Sequence, residues 1–116
     1  MIRVVVYKRS NRISGFSVSG HAGYGEKGTD IVCAAVSAVV YTALGYMDEM
    51  LQQYDKRRLH FEEKNGHIRW ERESTIGSLF EKEVDAVLEA MVIGCRQIEA
   101  SYGTKYVRVQ CEEVHS

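Results

Sequence analysis

The sequence predicts an α+β fold in the order ββαββαβ, with two long helices packed against a largely antiparallel sheet. Two hairpin patterns, two long apolar stretches at helical spacing, and a final alternating strand predict this order. The 116 residues include no proline, and no linker or repeat interrupts them. We therefore expect a single domain over residues 1–116.

The first hairpin is predicted from a β-rich run over residues 2–7, a turn at Ser10-Asn11 and a returning strand over residues 13–18. A glycine-rich loop follows over residues 19–29 and contains Gly23, Gly25 and Gly28. So many glycines leave the backbone many conformations. We expect this loop to be mobile in the free protein.

The first helix is predicted over residues 30–53, because Val32, Val36, Val39 and the apolar residues after them recur at helical spacing. Polar residues interrupt the stretch and Asp30 precedes it, so we interpret it as a buried core helix and not a membrane span. It is apolar nearly all round and needs cover on more than one side. A second sheet layer or a second subunit would supply that cover, and we expect a homodimer.

The second hairpin has a register that can be counted outward from its turn. Asn65-Gly66 suits a two-residue turn of type I′. The register then pairs three sets of residues, Lys64 with His67, Glu62 with Arg69, and Phe61 with Trp70.

The second helix is predicted from about Thr75 to Tyr102, with Ser78 and Glu81 as a possible capping box and Gly103 as its stop. The last strand, over residues 105–111, alternates Val107, Val109 and Cys111 on one face. Cys95 and Cys111 are both predicted to be core thiols, since each falls on the apolar face of its element.

Charge and cysteine content exclude several classes of function. The net charge is −1 and the pI about 6.4, so direct nucleic-acid binding is not expected. Strand-like alternation begins at Ile2, which argues against a signal peptide. Three cysteines, an odd number, favour free thiols in a reducing compartment. We expect a cytoplasmic protein that does not act at a membrane.

Cys33 and His21 are the residues best suited to chemistry. Cys33 falls in the first turn of the first helix, where the helix dipole and unpaired N–H groups favour a thiolate and offer oxyanion donors. His21 ends the preceding strand and is the candidate base. The spacing alone leaves the alternative that Cys33 is a core residue and His21 a loop residue.

Two other kinds of site fit less well. Gly23, Gly25 and Gly28 have the spacing of a dinucleotide fingerprint, but the loop follows a hairpin and does not open a βαβ unit. A metal site needs three or four ligands, and His60 and His67 are not expected near His21 and Cys33. We therefore expect no metal and no cofactor.

Residues 20–37 carry a resemblance. Gly20-His21-Ala22, the glycine loop and the block Asp30-Ile-Val-Cys33-Ala-Ala-Val-Ser37 resemble the ribosomal-processing cysteine protease (Prp) family. The resemblance implies a cysteine endopeptidase with Cys33 as nucleophile, His21 as base and acid, and a loop that orders over substrate. It also implies a homodimer, and a substrate that is the short N-terminal extension of a bacterial large-subunit ribosomal protein.

Asp30 and Ser37 match the same motif and are supporting candidates, either structural or chemical. The main alternative function is a non-catalytic ribosome-assembly factor that holds a peptide. A thiol-redox function is weaker, because no second cysteine lies near Cys33 in the sequence.

Overall fold

The computed structural model of the chain describes residues 1–26, 30–55, 59–72 and 80–115. The elements occur in the order β1 (Ile2–Arg9), β2 (Arg12–Ser19), α1 (Ile31–Asp55), β3 (Glu62–Lys64), β4 (His67–Glu71), α2 (Glu81–Tyr102) and β5 (Val107–Glu113). The predicted α+β class and the ββαββαβ order are confirmed.

The strands form one five-stranded sheet in the spatial order β3-β4-β2-β1-β5. The β1–β2, β2–β4 and β3–β4 pairs are antiparallel, whereas β5 returns parallel to β1 after α2. The sheet is therefore largely antiparallel, as predicted. The described residues contain no second sheet layer, so such a layer is not what covers the first helix.

The core lies between one face of this sheet and both helices. Alternation places Val4, Val6 and Phe16 on the covered face, where each is fully buried. They belong to one cluster with the inner sides of the two helices, formed by Val32, Val36, Val40, Ala43, Leu44 and Met47 of α1 and by Val84, Leu88, Met91, Val92 and Cys95 of α2. The helix starts and strand ends that carry the site are fixed to this core.

α1 is only partly covered. By length and composition alone, its span Ile31–Gln53 would also suit a membrane helix, and 33% of its most apolar window is buried inside the protein. The interpretation as a core helix therefore holds for one side of α1. The other side exposes Ile31, Tyr41 and Tyr46, and α2 exposes Ile93.

The register of the second hairpin is confirmed for two of its three pairs. Lys64 pairs with His67 and Glu62 with Arg69. The predicted Phe61–Trp70 pair is wrong, because β3 begins only at Glu62. Trp70 instead lies opposite Phe16 on β2, with ring centroids 5.9 Å apart.

The prediction for α2 is confirmed at its C-terminal end. Gly103 stops the helix with φ of 103°, and its N–H donates to the Glu99 carbonyl at 2.7 Å. The described helix begins at Glu81 with Phe80 in the N-cap position, later than predicted. Thr75 and Ser78 lie outside the described residues.

The two cysteines predicted to be core thiols differ. Cys95 is fully buried, and burial raises the pKa of its thiol to about 11. Cys111 is exposed, so that prediction is wrong. It lies beyond Val109 near the end of the edge strand β5, where the Arg96 guanidinium lies 3.3 Å from its sulfur in place of an apolar side chain.

Candidate active site

Gly20 turns the chain out of β2 and places His21 at the sheet margin. Its φ is +88°, and a side chain here would collide with the carbonyl oxygen of Met1, so only glycine fits without strain. The exposed His21 ring lies next to the turn of the second hairpin. Its Cε1 is 3.7 Å from the position that a Cβ on Gly66 would take.

Cys33 is the third residue of α1 and is half-buried. Asp30 caps this helix. Its Oδ1 accepts the N–H of Val32 at 3.0 Å and that of Cys33 at 3.1 Å, and its carbonyl accepts the N–H of Ala34 at 3.0 Å. The expectation that helix-start amides serve as oxyanion donors is therefore wrong for these three residues, because their N–H groups already have acceptors.

The second carboxylate oxygen of Asp30 holds the glycine loop. Oδ2 accepts the N–H of Tyr24 at 3.0 Å and that of Gly25 at 3.1 Å. Burial of the carboxylate raises the pKa of Asp30, but the four backbone N–H bonds outweigh burial and leave the pKa below its ordinary value. Asp30 is thus an ionised link between the loop and the start of α1.

Ala22 brings the loop to the sulfur. Its N–H donates to Cys33 Sγ at 3.3 Å, while its methyl group is buried in the core. Two residues on, the Tyr24 ring lies edge-on to Tyr102 at 5.4 Å and to Tyr106 at 5.1 Å. The described part of the loop is therefore in contact with the body of the protein. Its mobility stays a prediction, and Gly28 lies outside the described residues.

His21 and Cys33 line two neighbouring clefts. One has a volume of ≈ 340 Å³ and is completed by Gly23, Gly25, Asp30, Ala34 and Ser37. The other has a volume of ≈ 170 Å³ and has mainly apolar walls, formed by Ile2, Val18, Val36, Val40, Tyr41 and Ile68 together with Gly20, Ser37, Glu63 and Gly66. The predicted site residues that the structure describes therefore line the same cleft. They are His21, Gly23, Gly25, Asp30, Cys33 and Ser37. A chain extended through both clefts would pass the thiol.

Some residues near the site were not among the predicted site residues. Tyr41 lines the apolar cleft, and its hydroxyl is hydrogen-bonded to Glu63; burial and then this bond raise the pKa of Tyr41 to about 12. Helical spacing offered a signal, because Tyr41 comes two turns after Cys33 on the same face of α1. The approach of the Gly66 turn to His21 depends on the pairing of β2 with β4 and has no local signal.

The loop geometry also bears on the dinucleotide alternative. A phosphate cradle needs free loop amides, whereas the N–H groups of Tyr24 and Gly25 are donated to a carboxylate. A bound phosphate would face the charge of Asp30. The contacts therefore disfavour nucleotide binding by this loop.

The chain is similar to known cysteine proteases in sequence and in structure. A family model described as "Cysteine protease Prp" matches residues 1–108. The ribosomal processing cysteine protease Prp of Bacillus subtilis is 27% identical over 103 residues, which cover 88% of this chain and 90% of that protein. Its Staphylococcus aureus counterpart is 25% identical over 91 residues, or 78% and 80% of the two chains. A crystal structure of Prp from S. aureus with a covalently linked product peptide superposes with a TM-score of 0.77 at 24% identity, covering 97% of this chain and 100% of that one.

Proposed function

The chain belongs to the cysteine protease Prp family, and from this premise we propose that it removes a short N-terminal extension from a bacterial large-subunit ribosomal protein. The resemblance seen over residues 20–37 is confirmed by the family match, and the protein is a cysteine protease. The substrate, the Cys33–His21 dyad and the supporting residues Asp30 and Ser37 belong to the proposal.

One observation supports the Cys33–His21 dyad. Three residues line both clefts at the start of α1, namely His21, Cys33 and Ser37. Of these, His21 supplies an imidazole and Cys33 a thiol. A peptide lying through the clefts would bring its scissile bond past the sulfur, with the imidazole on the same surface. The thiol is half-buried and the imidazole exposed, so both groups are within reach of a peptide.

The mechanism follows from these two groups. His21 takes the proton of Cys33, and the Sγ thiolate attacks the scissile carbonyl carbon, forming a C–S bond and moving the C=O electron pair onto oxygen. When the pair returns, the C–N bond breaks and the amine leaves with the proton from His21. Water then loses a proton to His21 and bonds to the thioester carbon. The C–S bond breaks, the proton on His21 returns to Cys33 Sγ, and the acid product leaves.

The supporting residues have positioning roles in this proposal. Asp30 holds the loop and the first helical turn together through four N–H bonds. Ser37 lies one turn beyond Cys33, is exposed, and lines both clefts. In this proposal its hydroxyl hydrogen-bonds a backbone group of the bound peptide.

The test is cleavage of a peptide that spans the N-terminal extension of the host's ribosomal protein. Wild type is expected to cut it once, and Cys33→Ala and His21→Ala are expected to bind it without cutting. Cys111→Ala and His115→Ala serve as matched controls, because both residues are exposed and remote in sequence from the loop, and they should cut like wild type. Tight binding without cleavage by wild type would overturn the proposal and favour the peptide-holding assembly factor.

We propose further that the protein is a homodimer. The exposed apolar side of α1 continues onto α2 through a groove of ≈ 300 Å³ lined by Ala38, Val39, Thr42, Ala43, Val87, Ala90, Met91 and Gly94. Such a surface suits a second copy. Light scattering should give a dimer for wild type and a monomer for Ile93→Asp. Arg108→Asp, on β5, should leave the dimer intact. A monomeric wild type at micromolar concentration would refute this.

We also propose a cytoplasmic location. It rests on the free thiols of Cys33, Cys95 and Cys111, which suit a reducing compartment. Fractionation of the host cell with an antibody against the native protein would test it. Recovery outside the cytoplasmic fraction would contradict it.

A further inference from the structure

The proposed reaction places negative charge on an oxygen that needs hydrogen-bond donors. When Cys33 Sγ adds to the scissile carbonyl, the C=O electron pair moves onto oxygen. A preorganised N–H group at that position is among the largest contributions to acyl transfer. In many cysteine sites the start of a helix supplies such groups. Here three of those groups already have acceptors.

The occupied groups are those closest to the nucleophile along the chain. The N–H of Val32 and that of Cys33 itself both donate to Asp30 Oδ1, and the N–H of Ala34 donates to the Asp30 carbonyl within the helix. An incoming oxyanion would have to displace the charged carboxylate to reach them. That carboxylate is also bonded to two loop amides and is not free to move away.

The N–H of Ala22 is differently placed. It points at Cys33 Sγ from 3.3 Å. In the tetrahedral adduct the oxyanion is two bonds from this sulfur, so a donor that already points at Sγ needs only a small shift to reach the oxygen. The donation to sulfur in the free protein therefore marks the direction in which an oxyanion would be bound.

This N–H is also held firmly in place. The Ala22 side chain is 3% exposed and packs in the core cluster, which fixes its peptide plane. On the C-terminal side, Tyr24 is held by Asp30 and by the rings of Tyr102 and Tyr106. A donor held on both sides requires little reorganisation during the reaction.

We propose that the backbone N–H of Ala22 is the oxyanion donor of this site, and that Asp30 and Tyr24 are positioning residues for it. The inference rests on the proposed protease function and assigns one of its catalytic groups. In this proposal the glycine loop supplies a catalytic N–H group in addition to covering the substrate.

The decisive experiment removes this one N–H group. Native ligation at Cys33 joins a synthetic segment 1–32 to a recombinant segment 33–116 and leaves no extra residue at the junction. In the test chain, an ester replaces the His21–Ala22 amide, so that the N–H is absent and the side chains are unchanged. Two controls are an all-amide chain made in the same way and a chain with the ester between Ser10 and Asn11, in the exposed turn of the first hairpin. All three carry Cys111→Ser, so that alkylation reports Cys33.

We expect the Ala22 ester to lower kcat by about 10²- to 10³-fold, the usual loss for one oxyanion donor, with KM changed little. The Asn11 ester should cut within a few-fold of the all-amide chain. Alkylation of Cys33 by iodoacetamide forms no oxyanion, so its rate at high pH should be similar in all three chains.

The pH dependence separates an oxyanion donor from a group that only stabilises the thiolate. Removing a thiolate-stabilising donor would shift the pH profiles of alkylation and cleavage together, and cleavage would recover once the thiol is ionised. Removing the oxyanion donor leaves cleavage depressed at that pH. Full recovery, or an ester chain that cuts like its control, would overturn this inference. An all-amide chain that does not cut would overturn the proposed function itself.

A second measurement needs no altered backbone. His-Ala occurs once in the sequence, so ¹³C-carbonyl histidine with ¹⁵N-alanine gives a single selected amide signal for Ala22. A peptide aldehyde forms a hemithioacetal on Cys33, whose oxygen lies at the oxyanion position. We expect the Ala22 proton to move downfield and exchange more slowly with water in that adduct, but not after S-methylthiolation of Cys33. Unchanged rapid exchange in the aldehyde adduct would contradict the assignment.

Discussion

Cys33 and Gly25 are joined through a single carboxylate, since each donates its backbone N–H, at 3.1 Å, to a different oxygen of Asp30. The first turn of α1 and the glycine loop therefore share one acceptor. Any change in the charge of Asp30 acts on the candidate nucleophile and on the loop at the same time.

The first prediction concerns acid. The folded-state pKa of Asp30 lies below its ordinary value of 3.8, so its ionised form stabilises the fold above that value, and this stability is lost as the pH falls through the folded-state pKa. Wild type should unfold at a higher temperature than Asp30→Asn at pH 7, and the gap should close in strong acid. Melting curves from pH 7 to pH 2.5 would check this. A gap that stays constant with pH would contradict it.

The second prediction separates the two roles of Asp30, which are to cap α1 and to hold the loop amides of Tyr24 and Gly25. A serine is a good N-cap for a helix but is too short to reach the loop amides as well. At pH 7, Asp30→Ser should melt below wild type, because the ionised carboxylate is lost, but above Asp30→Ala, which loses the cap as well, and its kcat should fall by at least about 10-fold. Asp30→Ala should lose both stability and activity. If Asp30→Ser cleaves the peptide at the wild-type rate, the link to the loop has no role in catalysis.

The third prediction concerns the aromatic support of the loop. Tyr24→Ala removes the edge-on ring contacts to Tyr102 and Tyr106. Such a contact contributes about 0.5–1.5 kcal/mol when it is buried, and less at this half-exposed ring. We expect kcat/KM to fall about 5- to 10-fold. Tyr24→Phe keeps the ring and should restore wild-type activity. Equal rates for the alanine and phenylalanine variants would show that the ring does not hold the loop.

The fourth prediction concerns Gly20. An alanine here must adopt a positive φ and would collide with the Met1 carbonyl, so Gly20→Ala should cost at least about 2 kcal/mol of unfolding free energy and displace His21. Gly45→Ala is the control, because nothing lies within 4 Å of its added Cβ and its helix should gain up to about 1 kcal/mol. Urea unfolding of both variants would measure the difference.

The fifth prediction concerns alkali and Cys95. Its pKa of about 11 in the fold exceeds the ordinary thiol value, so the folded state keeps a proton that the unfolded state loses, and stability falls as the pH rises between the two values. The expected loss is on the order of 2 kcal/mol. Cys95→Ala should flatten this slope, whereas Cys111→Ala should not. Urea unfolding at pH 8 to 11 would compare them.

Local patterns explain what the sequence could predict. The helical spacing after Asp30 placed Cys33 in a first turn, and the Asn65-Gly66 turn fixed the pairing of Lys64 with His67, because both depend on neighbouring residues. The same is true of Gly103 as the stop of α2.

Contacts between distant parts of the chain explain what the sequence missed. Trp70 lies opposite Phe16 through the pairing of β2 with β4, which no local pattern encodes. The support of Tyr24 by Tyr102 and Tyr106 requires α2 to bring the end of the chain beside the loop. The amides of α1 were misjudged for another reason, since an aspartate at the N-cap uses the same N–H groups that an oxyanion would need.

The position of Tyr102 and Tyr106 in the chain has a consequence during synthesis. Translation supplies Cys33 and His21 early, but the rings that hold Tyr24 are made near the end, together with β5. A nascent chain that stops short of them has the thiol and the imidazole but lacks the support of the loop. The geometry of the loop thus depends on translation having passed Tyr106, and an incomplete chain is expected to be a poor protease.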